Sequence, residues 1–377
     1  MKKLFNTFLL LLALVSSLSI TACSKKTKLT QIELKTISYQ HENLTVNVDP
    51  KIELLLVGLR LSEQEPFNQN AYGQEYAQYL EGVDKICGNQ KNHPFVKTLK
   101  SHYDSKKTNA TDILKISRYI SDDITSISIK NKELPTEMQQ FWKKINLKQF
   151  IADMNDFAVK SNFTKVWVLY NPQLKSQAIN NLDYYKSMPQ ITDWISDFYF
   201  AKDNKPDYQF FASTGTAGYM FIPTLIKKDN KIIVQNYLPA YSYNKDNLPY
   251  TIVPAYYLSF AVAYTYTVEN WELISEDYNK LLDKIIEDNQ ITYKYKESEK
   301  QNLFANLIAN VCVLNYEVAQ NDEEIYTQFK NQIEQYYYYK DPDKLISLLD
   351  VYIDNRDKYL DFESFFKDFI PSALKDL

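Results

Sequence analysis

The sequence predicts an α+β fold that is predominantly helical, with a small antiparallel sheet and a helical C-terminal part. Three observations predict it. Apolar residues recur at i, i+3 and i+4 through most of the chain from Pro50 onward. Strict alternation is confined to short stretches around 32–48, 207–213 and 231–237. After Trp271 the pattern is helical to the end. At 377 residues and 45% hydrophobic, the chain can bury the core of one large domain or two. A net charge of -4 carries no basic or acidic excess, so nothing points to nucleic acid.

The chain opens with Lys2-Lys3 and an apolar run from Phe8 to Leu18, ending in Ile20-Thr21-Ala22-Cys23. This is a signal-peptide pattern, too short for a spanning helix. Its end resembles the bacterial lipobox, which implies cleavage before Cys23 and acylation of Cys23. Several acyl chains anchor firmly where one is marginal. The expected layout is a signal peptide at 1–22, a polar tether at 23–30, a main domain at 31–320 and a helical extension at 321–377. Ser24, rather than Asp, follows the cysteine, so outer-membrane attachment facing the periplasm is expected.

Ile32 to Ile37 and Leu44 to Val48 flank the polar segment Ser38 to Asn43, which reads as a β-hairpin. Asp49-Pro50 then starts a helix with proline in its first turn, running through Leu61. Helical spacing predicts further helices over 74–87, 94–103, 110–121, 136–160, 163–182 and 190–200, with Trp167 and Trp194 as core aromatics. Asp207 to Ser213 and Lys231 to Tyr237 read as strands, and 237–250 as a loop. Between the strands lies a glycine pair, Gly215 and Gly218, with Tyr219 beside it. The last helices fall at 271–288, 298–319, 323–339, 342–354 and 361–368. Cys87 and Cys312 read as separate buried thiols or as a disulfide, which an oxidising compartment permits.

The stretch from Leu248 to Val268 has no charged residue. Val253, Tyr257, Phe260, Ala261 and Tyr264 fit a helix, and the opposite face is also apolar, so the helix is expected to be buried on all sides. Thr251 would cap it and Pro254 would open it. Its Tyr, Thr and Pro residues make a membrane span the weaker reading.

Thr251-Ile252-Val253 and Ser259-Phe260 resemble the frame around the H-E-x-x-H motif of zincin peptidases, in which two histidines hold zinc and the glutamate is general base. Laid on that frame, Pro254 and Leu258 stand at the histidine positions and Ala255 at the glutamate. Upstream, Asn47 to Leu55, Tyr79 to Lys85 and Asn92 to Lys97 resemble, in order, blocks of an uncharacterised bacterial exported and lipoprotein family related to gluzincin metallopeptidases. The resemblance covers about residues 45–320 and implies a zincin-like fold. It places Ala305 at the third ligand position, and a sheet edge that would take an extended peptide at Gly215, Gly218 and Tyr219. An ordinary hairpin turn is the equal alternative there.

Pro, Ala and Leu offer zinc no lone pairs, so no metal and no cofactor are expected. The three histidines, His41, His93 and His102, lie outside this frame, and the first two read as surface or capping residues. No G-x-S-x-G or phosphate-binding loop occurs. The expected function is a catalytically inactive relative of zincin peptidases, anchored to the membrane through Cys23, that binds an extended peptide or envelope protein. The alternatives are a hydrolase with a relocated active site and a structural envelope lipoprotein.

Overall fold

A computed structural model of the chain describes residues 34–64, 67, 74–104, 110–124, 126–130, 145–187, 189–213, 224–228, 231–238, 242–243, 249–250, 255–320, 322–336 and 342–375. Strands β1 (Ile37–His41) and β2 (Leu44–Val48) form the predicted hairpin. The turn is only Glu42-Asn43, with Glu42 in the left-handed region at φ 49, so the polar segment Ser38–His41 is itself strand. Helices α1 (Pro50–Leu61), α2 (Gln74–Cys87), α3 (Pro94–Asp104), α4 (Ala110–Lys115), α5 (Leu147–Lys160), α6 (Phe163–Ser187) and α7 (Pro189–Tyr199) follow. The helix expected over 110–121 ends at Lys115 and continues as a 3-10 turn, Ile116–Arg118. Strands β3 (Asp207–Ala212), β4 (Thr224–Lys228) and β5 (Lys231–Leu238) come next, then a two-residue ladder, β6 (Ser242–Tyr243) with β7 (Pro249–Tyr250). The rest is helix: α8 (Ala255–Glu269), α9 (Trp271–Asp288), α10 (Glu297–Gln320), α11 (Glu323–Tyr336), α12 (Pro342–Asp354), α13 (Phe362–Asp368) and α14 (Ile370–Ala373).

The main sheet is mixed, which corrects the expected antiparallel one. Its order is β1-β2-β3-β5-β4, with β2, β3 and β5 parallel and the two edge strands antiparallel. Val46, Phe210 and Asn236 stand abreast in the centre, all fully buried. Parallel strands are covered on both faces, so their apolar residues need not alternate. Strand β4 was not foreseen. It is short, carries two lysines, and among the described residues pairs on one side only.

Helix α1 shows how the sequence sets a local start. The Asp49 carboxylate accepts the Lys51 N–H at 2.8 Å, and Pro50 opens the helix. Every residue of α1 is buried, including Lys51, Glu53 and Arg60. Arg60 meets its burial with a fork: Nε to Asp84 Oδ1 at 3.0 Å and Nη2 to Asp84 Oδ2 at 2.7 Å, which ties α1 to α2. Gly58 lets α3 approach, because a Cβ there would lie 2.5 Å from Phe95 Cε1.

The chain from Lys35 to Leu377 is one compact unit, and the helices after residue 321 are part of it. Phe198 and Tyr199 of α7, Tyr266 of α8, Tyr352 of α12 and Phe362 of α13 share one aromatic cluster. Arg356 donates to the carbonyls of Phe198 at 2.6 Å and Phe200 at 3.3 Å, satisfying acceptors that the end of α7 leaves open. Trp167 is in the core as expected. Trp194 is half-buried and stacks on Phe198 at 4.7 Å. Among the described residues, no helix is long and apolar enough to cross a membrane.

Candidate functional site

Two places bear on function. The first is the pair α8 and α10. Leu258 and Ala305 are both fully buried. Thr251, Pro254, Gly215, Gly218, Tyr219 and Cys23 lie outside the described residues, as does the side chain of Ala255. The helices run antiparallel: Gln301 Nε2 donates to the Val268 carbonyl at 3.3 Å, and Ser259 Oγ to the Cys312 carbonyl at 3.5 Å. The neighbour of Leu258 is therefore level with Cys312. Ala305 lies seven residues away, about 10 Å along the axis at 1.5 Å per residue. The structure does not bring Ala305 level with Leu258.

One face of α8 departs from expectation. Phe260 and Tyr264 are half-buried rather than fully buried and stack on each other with centroids 6.1 Å apart. Tyr264 donates to Asn302 Oδ1 at 2.8 Å. On another side, Ser259 Oγ and the Tyr199 hydroxyl lie 2.8 Å apart beside Cys312. Burial pushes the Cys312 thiol up to about 12, and that of Cys87 likewise, so neither is a thiolate nucleophile near neutral pH. The two cysteines are free.

The second place is the carboxyl ends of β2, β3 and β5. Open α/β sheets bind ligands outside the carboxyl ends of parallel strands. Here the chain gathers polar groups that lie far apart in sequence. Lys51 Nζ is 3.5 Å from Asp49 and 2.6 Å from Asp122, and Lys130 is 2.9 Å from Asp122. Burial raises the Asp49 pKa while Lys51 opposes the rise. The Lys51 ammonium, then Lys130, holds Asp122 below the usual carboxylate range. Glu53 accepts from the Tyr79 hydroxyl at 2.5 Å and from Ser213 Oγ at 2.7 Å. Further back along the strands, on the rung that Thr45, Gln209 and Gln235 share, Arg118 donates to Gln235 Oε1, and Gln235 Nε2 donates to Gln209 Oε1 at 2.8 Å. Burial pushes the Tyr237 phenol up, and Arg118 and Ser117 pull it partly back.

Sequence reasoning missed this cluster because no two of its elements form a spaced motif. The only sequence signal was Lys51 and Glu53 inside an otherwise apolar run.

His93 is a capping residue, as read from Pro94 after it. Its Nδ1 accepts the Phe95 N–H at 3.3 Å, so the proton sits on Nε2, which faces Asp156 Oδ2 at 3.0 Å. Among the described residues, no three His, Cys, Asp or Glu side chains are grouped to hold a metal ion. Comparison with protein-family models, with curated proteins and with solved structures finds no match for this chain.

Proposed function

We propose that this is a lipid-anchored protein of the bacterial cell envelope, of zincin-like fold, that binds an extended peptide or envelope protein without hydrolysing it. One observation carries the reading: β4 is an antiparallel edge strand lying against α8, the helix with Leu258 at a metal-ligand position of the zincin frame. Pro254 and Ala255 complete the lost set in sequence. Among the described residues, no strand pairs with the outer edge of β4. Such an edge receives a peptide by main-chain hydrogen bonds, which needs no metal. Lys228 pairs with Lys231, with two residues of sequence between them, so alternate pairs from there exchange hydrogen bonds. The Leu225 and Lys227 amides then face outward.

A selection from random heptapeptides displayed on phage tests this. The selected peptides should bind the mature protein and Lys227→Ala alike. Lys227→Pro deletes one outward donor without touching the β5 ladder and should weaken binding by about tenfold, the equivalent of one net hydrogen bond. Peptides indifferent to Lys227→Pro would place the binding surface elsewhere.

The anchor rests on Ile20 to Cys23. Cells given labelled fatty acid should label the protein, and Cys23→Ser should abolish the label and release the protein from the outer-membrane fraction. Labelling that survives the change would exclude Cys23 as the attachment site.

A further inference from the structure

Helix α6 presents apolar side chains to solvent along one face. Val168, Leu169 and Ile179 are 37%, 53% and 40% exposed, and Pro172 between them is exposed too. Their spacing puts them on one side of the helix, opposite the buried Val166, Trp167, Leu174 and Ala178. Lys165, Lys175 and Lys186 fall on the same outward side, and none of the three is in an ion pair among the described residues. Asp183 is the one carboxylate in α6. In a chain of net charge -4, this face is basic. Single exposed apolar residues are ordinary. A stripe of them among unpaired lysines, on a helix of 25 residues, suits an anionic lipid surface.

The start of the chain brings such a surface within reach. Helix α6 packs on β1 and β2, and β1 is an edge strand. Leu34, just before β1, stands eleven residues after Cys23. A stretch of that length spans at most about 40 Å, and α6 itself is about 37 Å long. A lipid on Cys23 would therefore hold the domain within roughly one helix length of the bilayer.

We propose that the outward face of α6 docks on the anionic bilayer surface. The lysines meet lipid head groups, and Val168, Leu169 and Ile179 enter the boundary below them. The geometry rests on the Cys23 anchor proposed above, but the affinity resides in α6. The anchor holds this face near the membrane, so a weak contact is enough. Helix α6 covers β1, β2 and β3, and β4 is the opposite edge of the sheet. Docking by α6 thus leaves the β4 edge free for a peptide.

The test uses the mature chain with Cys23→Ser, which cannot be acylated. It is sedimented with phosphatidylethanolamine vesicles containing phosphatidylglycerol, and with vesicles of phosphatidylcholine alone. It should bind the first, less as salt rises, and not the second. Lys165→Gln with Lys175→Gln should weaken binding by about thirtyfold, and Leu169→Ser by about tenfold. Surface changes of this kind leave the fold intact. Asp183→Asn should strengthen binding by about fivefold, a gain that misfolding cannot mimic. Lys294→Gln with Lys296→Gln, on the exposed segment after α9, should leave binding unchanged. The proposal is overturned by no sedimentation with phosphatidylglycerol vesicles, or by an equal loss in the Lys294 and Lys296 pair. Self-association that Leu169→Ser abolishes in the absence of vesicles would seat a second copy on this face and overturn it too. The chain assayed carries no lipid, so failure here and failure of Cys23 labelling are separate results.

Discussion

Phe362→Ala should lower the unfolding free energy by about 3–5 kcal/mol, the usual range for removing a buried phenyl ring. Phe362 is fully buried and meets Phe198, Tyr199, Tyr266, Tyr352, Phe365 and Phe366. Those rings come from α7, α8, α12 and α13, so the cavity would open between elements on both sides of residue 321. The surrounding rings are large and rigid, which limits how far the site can collapse. Denaturant unfolding of the parent and variant measures the difference. The result also decides whether the helices after residue 321 are a dispensable cap. A change below about 0.5 kcal/mol, the range of ordinary surface sites, would mean that α13 is peripheral. A single transition in both proteins, with the variant shifted, is the outcome expected of one cooperative unit.

How much of this was legible in the sequence depends on what each element uses to hold itself. Helix α9 was legible to the residue, because Trp271, Ile274, Tyr278, Leu281, Leu282 and Ile285 form one apolar stripe that is also its buried face. Helix α1 was legible at its start, where Asp49 and Pro50 act locally. The parallel pairing of β2, β3 and β5 was not, because strand direction is set by the long helical connection after β2 and leaves no mark within the strands. Strand β4 was missed because, paired on one side only among the described residues, it carries a weak apolar pattern. The offset of Ala305 from Leu258 along α8 and α10 was not legible either, because a resemblance between sequences carries no helix register. The contact of Arg118 with Gln235 was invisible, since the two are joined only by the fold.

Glu317→Gln should stabilise the protein above neutral pH and have little effect near pH 4. Glu317 is buried in the last two turns of α10, and among the described residues no side chain donates to its carboxylate. Burial, and then the charge of Asp322, push its pKa up to about 7. The sign follows from linkage. A carboxyl whose folded-state pKa is raised binds its proton more tightly in the native state than in the unfolded chain. Below about pH 4.5, its ordinary value, both states are protonated and the group imposes no penalty. As pH climbs from there to about 7, the unfolded chain ionises freely while the native state resists, so stability falls. Above about 7 the penalty is constant. At roughly 1.4 kcal/mol per pKa unit its ceiling is about 3.5 kcal/mol. Residual hydration of the carboxylate lowers it from that. Glutamine keeps the shape and cannot ionise, so the gap between variant and parent should open between pH 4.5 and 7 and then stay level. Asp322→Asn should narrow the parent's pH dependence from the other side. Its amide oxygen can still accept the Ile325 N–H that Asp322 now receives at 3.1 Å, so the start of α11 is kept while the repelling charge is removed. Melting curves at half-unit steps from pH 4 to 9 measure both effects. Parallel curves for Glu317→Gln and the parent would mean that Glu317 ionises in the native state as freely as in water, with its carboxylate turned out to solvent rather than held in the helix packing.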